Sequence, residues 1–168
     1  MPKIGLTPLA RALAVALALA TPAAADPPAA YGARRAEAVT FRDWRLHCRG
    51  ASCLLRGVVR GGDGSVVLAA VLEGQTLRFE TALPLFLPDG VTLALGDDAL
   101  RAIPWRTCDP RGCRAETPLD ADLLDSLRRE RAAEVTLTLR DEVRIRLPVS
   151  LLGLSAALKA RDAAVTAP

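Results

Sequence analysis

From Phe41 onward, apolar and polar side chains alternate with a period of two, the pattern of strands that bury one face. Trp44, Leu46 and Cys48 alternate with Arg45 and His47. After Arg49-Gly50-Ala51-Ser52, Cys53, Leu55, Gly57 and Val59 alternate with Leu54, Arg56 and Val58. Joined as a hairpin, the two segments pair Cys48 with Cys53, Leu46 with Leu55 and Trp44 with Gly57. That register gathers the large apolar groups on one face, apart from Leu54 and Val58. It also lays an aromatic ring over a cross-strand glycine, a known packing device. Residues 66–72 are nearly all apolar and suit a strand buried on both faces. Leu77, Phe79 and Thr81 alternate after the Glu73-Gly74 turn, and Val91, Leu93 and Leu95 after the Pro88-Asp89-Gly90 turn.

The C-terminal part mixes periods. Thr117-Pro118-Leu119-Asp120 reads as a helix start, with Thr117 as N-cap, proline at the first helical position and a carboxylate at the third. Leu119, Leu123, Leu124 and Leu127 form one stripe. Asp120, Asp122 and Asp125 come early and Arg128, Arg129 and Arg131 late, the order the helix dipole favours. Val135, Leu137 and Leu139, then Val143, Ile145 and Leu147, occupy odd positions. A hairpin centred on Asp141 pairs Leu139 with Val143 and Leu137 with Ile145, leaving Thr138 on the outer face, where substitution is expected to matter little. Ser150 is expected to cap a last short helix over 151–161. The expected fold is mainly β: an antiparallel β-sandwich-like domain with one or two short α-helices near the C-terminus.

The N-terminus breaks the pattern. Lys3 and Arg11 precede the apolar stretch 12–20, and Thr21-Pro22-Ala23-Ala24-Ala25 follows. A basic start, a short apolar run and a small-x-small site make a secretory signal peptide over 1–25, with cleavage before Asp26. The apolar run falls short of the roughly 20 residues that span a bilayer, so no membrane span is expected after cleavage. Residues 26–40, opening with Asp26-Pro27-Pro28, read as a flexible leader, 41–162 as a single β-rich domain and 163–168 as a tail. The expected localisation is periplasmic or secreted. Of the 22 basic residues, Lys3 and Arg11 leave with the signal, so 20 face 19 acidic ones. So even a balance argues against a nucleic-acid partner. Nearly all the remaining positive charge is arginine. Its planar fork favours carboxylate and phosphate, but codon bias in a GC-rich genome is the simpler reading.

A single histidine excludes sites that need two. Four cysteines in an exported chain read first as disulfides. Cys108-Asp109-Pro110-Arg111-Gly112-Cys113 places a type I turn between two cysteines, and Cys48 and Cys53 share that spacing. Nearest-neighbour pairing is expected, with the two crossed connectivities as alternatives. A four-cysteine zinc site is disfavoured because C-x2-C spacing is absent, and thiol redox catalysis because C-x-x-C is absent. Gly61-Gly62-Asp63-Gly64-Ser65 lacks the Lys-Ser/Thr of a phosphate cradle and reads as a turn. His47 lies near Ser52 without any nucleophile signature. Asp97-Asp98 and Asp120/Asp122/Asp125 lack calcium-loop spacing. No catalytic, cofactor-binding or metal site is expected, and no cofactor.

Five segments in order carry a resemblance: Trp44-Arg45-Leu46-His47-Cys48 with Cys53-Leu54-Leu55; Leu83-Pro84-Leu85 with Leu87-Pro88-Asp89-Gly90-Val91-Thr92-Leu93; Pro104-Trp105-Arg106-Thr107-Cys108 with Gly112-Cys113; Pro118-Leu119-Asp120-Ala121-Asp122-Leu123-Leu124; and Leu147-Pro148-Val149-Ser150-Leu151 with Gly153 and Ala156-Ala157-Leu158. Over residues 41–158 the chain resembles the invasion-associated locus B family of proteobacterial envelope proteins. It departs where relatives often carry a Gln-rich segment; here Arg56-Gly57-Val58-Val59 stands. The resemblance implies an exported, non-enzymatic, β-rich binding or interaction protein of the cell envelope, linked in some pathogens to host-cell entry, with an unidentified envelope or host protein as partner. It supplies no catalytic residues. The alternative is an unrecognised periplasmic enzyme or thiol redox protein, which free, low-pKa cysteines would favour.

Overall fold

The computed structural model describes residues 38–96 and 99–166. The segment read as a signal peptide, residues 26–37 of the leader and Asp97-Asp98 lie outside them. In chain order the strands are β1 (Ala38–Phe41), β2 (Trp44–Arg49), β3 (Ser52–Arg60), β4 (Val66–Glu73), β5 (Thr76–Thr81), β6 (Val91–Leu95), β7 (Ala99–Ile103), β8 (Trp105–Asp109), β9 (Gly112–Pro118), β10 (Ala132–Thr138) and β11 (Arg144–Ser150). The helices are α1 (Ala121–Arg129) and α2 (Leu154–Thr166). A seven-stranded antiparallel sheet has the order β1-β2-β3-β4-β5-β9-β8, and a four-stranded one the order β11-β10-β6-β7. The domain is mainly β and sandwich-like, as the alternation predicts.

The β2–β3 register pairs Cys48 with Cys53, Leu46 with Leu55 and Trp44 with Gly57. β10–β11 pairs Leu137 with Ile145, and Leu139 N–H donates to Val143 O. Inward residues of both sheets, among them Leu55, Leu72, Phe79, Leu93, Val135 and Leu137, form one core. Trp44 is 1% exposed, and its Nε1 donates to Ser150 O on β11 at 2.9 Å, tying the two sheets together. A Cβ on Gly57 would stand 3.0 Å from the Trp44 ring, so any larger residue would push the indole by a few tenths of an ångström. α2 closes the end of the sandwich over β1, β2 and β3 with Leu154, Ala157 and Leu158.

β4 is buried on both faces, by two different means. Leu68, Ala70 and Leu72 enter the core. On the outer face Ala69 and Val71 are also only 1% exposed, although among the described residues no second sheet lies there. The cross-strand neighbours of Val71 are Arg56 and Arg78. Long arginine stems can shelter aliphatic surface while their heads stay in water.

Several local expectations give way to longer-range forces. Thr117 does not cap a helix: Thr117 and Pro118 extend β9 against Leu77 and Thr76 of β5. Asp120 is the N-cap of α1, its side chain accepting from Leu123 N–H at 2.8 Å. Aspartate caps at least as well as threonine, so sheet pairing of Thr117 leaves the helix no worse capped. Ser150 is likewise a strand residue, opposite Ala132, and α2 starts only at Leu154. There the chain passes so close to β1 that a Cβ on Gly153, with φ +90°, would stand 2.1 Å from Phe41 O. β1 takes in residues 38–40 of the segment read as a leader, and α2 continues through residue 166 of the supposed tail.

Thr138 faces outward but is buried, donating to Asp89 Oδ2 at 2.7 Å beneath the short 3₁₀ turn Leu87–Asp89. β7 showed no strand pattern because its sides are inverted: Leu100 is 78% exposed, while Arg101, opposite Leu93, reaches Asp120 at 2.8 Å. An inward-leaning charge on an edge strand discourages pairing with other chains.

Candidate functional site

The outer face of the large sheet carries most of the ordered charge. Arg56 Nη1 donates to Glu80 Oε2 at 2.8 Å, and Arg78 Nε to Glu80 Oε1 at 2.9 Å. Arg78 also reaches Glu73 at 3.4 Å and Glu116 at 3.9 Å. Burial pushes the Glu80 carboxyl up, but hydrogen bonds and charges from Arg56 and Arg78 outweigh it and hold the group below its ordinary value of 4.5. A carboxyl depressed by folding contributes stability that is complete above its unfolded value and is lost as pH falls through the folded one. Glu80→Gln is therefore expected to cost about 0.5–1 kcal/mol at neutral pH, a pair this exposed being partly screened. That difference should shrink as pH falls below the ordinary value of 4.5 and through the lower folded one. Urea melts of both proteins from neutral pH into the acid range check it; a difference that stays constant down into acid would assign the effect to packing.

Toward β2 and β3 the carboxylates among the described residues thin out. Arg45 lies directly opposite Arg56, and His47 opposite Leu54. Arg42 sits in the two-residue turn between β1 and β2 with φ +52°, and Arg60 ends β3. These side chains line an open groove of about 740 Å³ on the β1–β2–β3 face, bounded by Pro148 and Ser150 of β11. Among the described residues, no carboxylate pairs with Arg42, Arg45 or Arg60. Arg60 Nη1 donates instead to Gly64 O at 2.8 Å. Asp43, the acid in the lining, accepts from the Ser150 hydroxyl. A second groove, about 940 Å³ between the end of α2 and the β2–β3 and β4–β5 turns, holds one cation, Arg161, paired with Asp162 at 2.9 Å. Open positive charge is concentrated in the first.

The four cysteines close as Cys48–Cys53 and Cys108–Cys113, each across directly opposed strand positions with Cα atoms 4.0 Å apart. The second spans the Pro110-Arg111 turn, where Asp109 Oδ1 accepts from Arg111 N–H at 2.7 Å. His47 stands outward on β2, and Ser52 lies two pairs along, opposite Arg49. The residues 61–65 form the β3–β4 loop, with Gly61 N–H donating to Ser65 O at 2.9 Å and Ser65 N–H to Asp63 Oδ1 at 3.0 Å. Asp120 caps α1 and Asp125 pairs with Arg128 at 3.6 Å. Among the described residues, no three His, Cys, Asp or Glu side chains are grouped to hold a metal, and no helix is long and apolar enough to cross a membrane.

The sequence reading assigned the arginines to composition and passed over the groove. The signal was available. Once Trp44 is paired with Gly57, the same register sets Arg45 against Arg56, and like charges face to face call for a partner.

No curated protein matches the chain. Among solved structures it is similar to the crystal structure of invasion associated protein B from Bartonella henselae, with a TM-score of 0.68 and 22% identity over 76% of this chain and 96% of that one. The two share a fold. The family model described as invasion associated locus B protein matches residues 64–162, from the β3–β4 loop into the last turns of α2. By that match the chain belongs to the invasion-associated locus B family.

Proposed function

We propose that this chain is an exported binding protein of the cell envelope that performs no catalysis and engages an envelope or host-cell partner. The observation that carries the reading is the groove, whose arginines offer hydrogen-bond donors and positive charge to solvent. That is chemistry for holding a ligand. Export is supported by the signal-like segment 1–25 and by the two disulfides, which persist in oxidising compartments. A role in host-cell association, suggested by the name of the Bartonella protein, applies if the source organism is a pathogen.

Two measurements test it together. N-terminal sequencing of the protein recovered from the periplasm is expected to begin at Asp26, and thiol titration of that native protein to find no free thiol. A chain that keeps Met1 and sediments with membranes overturns the export reading. Reactive thiols in the native protein would favour the redox alternative.

A further inference from the structure

We infer that the β1–β2–β3 groove is a binding site for an anionic polysaccharide, whose sulfate or carboxylate groups meet the guanidinium groups of Arg42, Arg45, Arg56 and Arg60. Guanidinium forks match oxyanions in geometry as well as charge. Glu80 neutralises Arg56 and fixes its position, so the opposed pair Arg45/Arg56 presents one open charge on a steady base. Arg56 and Arg60 are four residues apart on one strand, about 14 Å at 3.4 Å per residue. Their guanidinium groups are held apart by different partners, Glu80 for Arg56 and Gly64 O for Arg60, an arrangement that suits a chain with repeated charges better than one small anion. The rest of the lining suits sugars, with the hydroxyls of Thr40 and Ser150 and the carboxylate of Asp43 beside the cations.

Other polyanions fit less well. No Phe, Tyr or Trp lines the groove, so unpaired nucleic-acid bases find only the His47 ring and guanidinium planes to stack on, a smaller platform than single-strand binders use. Its aliphatic side chains, Val58, Val59 and Val66, are short strand residues without the bulky apolar stripe that inserts into a bilayer.

This inference rests on the reading of the chain as a binding protein and narrows the partner to one chemistry. The test uses the full chain exported to the periplasm, with heparin oligosaccharides as probe. Binding is expected to weaken steeply with salt. The double variant Arg45→Ser/Arg60→Ser, at exposed positions without ion pairs among the described residues, is expected to keep its thermal midpoint and bind about ten-fold or more weakly. The control Arg106→Ser/Arg111→Ser removes the same charge at the opposite edge of the large sheet, on β8 and its turn, and is expected to bind within about two-fold of the parent, since screening limits remote charges. Independently of any variant, bound heparin should shield Arg45 and Arg60 from an arginine-specific dicarbonyl reagent. Equal weakening in both variants, no shielding, or tighter binding of single-stranded DNA or anionic phospholipid vesicles than of heparin would each overturn the polysaccharide site. The two readings fail separately: an exported chain indifferent to heparin overturns the groove alone, whereas a chain kept in the cytoplasm overturns export whatever it binds.

Discussion

Trp44→Ala is expected to lower the unfolding free energy by about 3–5 kcal/mol, the range for truncating a buried large aromatic. Three contributions combine at this residue. Its ring is 1% exposed and lies on Gly57, so the variant opens a cavity whose floor has no side chain to fill it. Its Nε1–H bond to Ser150 O is a tie from the large sheet to β11, and losing it leaves that carbonyl without the donor. Ser150 also donates to Asp43 in the β1–β2 turn, so the tie and the groove share a wall. Trp44→Phe keeps much of the packing and removes the bond, and should cost roughly 1–3 kcal/mol. Urea melts rank the two. Equal losses would mean the hydrogen bond dominates; a loss below about 1 kcal/mol for the alanine variant would show that the sandwich does not depend on this contact.

Leu137→Ala is expected to cost about 2–5 kcal/mol through lost transfer energy and a cavity. Leu137 is fully buried in β10, paired with Ile145 of β11 on one side and Val91 of β6 on the other. The position is held from both flanks and cannot collapse easily. Replacing Cys108 and Cys113 together by alanine should cost about 2 kcal/mol in the chain-entropy model, because the bridge closes only a short loop. Thr138→Ala belongs between these and zero. On an open face it would change stability by about 0.5 kcal/mol or less, but its hydroxyl donates to Asp89 beneath the 3₁₀ turn, so roughly 1 kcal/mol is expected. Denaturant midpoints of the three variants decide the order. A cysteine pair that outweighs Leu137 would show that the staples, and not the strand faces, hold the domain.

The registers of β2–β3 and β10–β11 were legible in the chain, and with them the cross-strand cysteine partners. Each is set by an alternation of period two and a turn a few residues long, information that is local and survives without the rest of the protein. The double burial of β4 was legible as an apolar run, though not its cause. The candidate site was half legible: pairing Trp44 with Gly57 aligns Arg45 with Arg56, yet charge totals alone concealed that alignment.

What the tertiary structure decided always depended on a distant neighbour. Thr117 looked like a cap until β5 offered its backbone a strand partner. Thr138 looked exposed until the Leu87–Asp89 turn folded over it. β7 carried no strand pattern because, at the edge of the small sheet, one side chain points to solvent and the other to Asp120. The positive groove reflects the gathering of Glu73, Glu80 and Glu116 around Arg78 on one half of the outer face, while Arg42, Arg45 and Arg60 on the other have no ion pair among the described residues. Side-chain periodicity determines which way a residue faces; what it meets there is set by chain segments tens of residues away, through pairing and packing energies that no local pattern encodes.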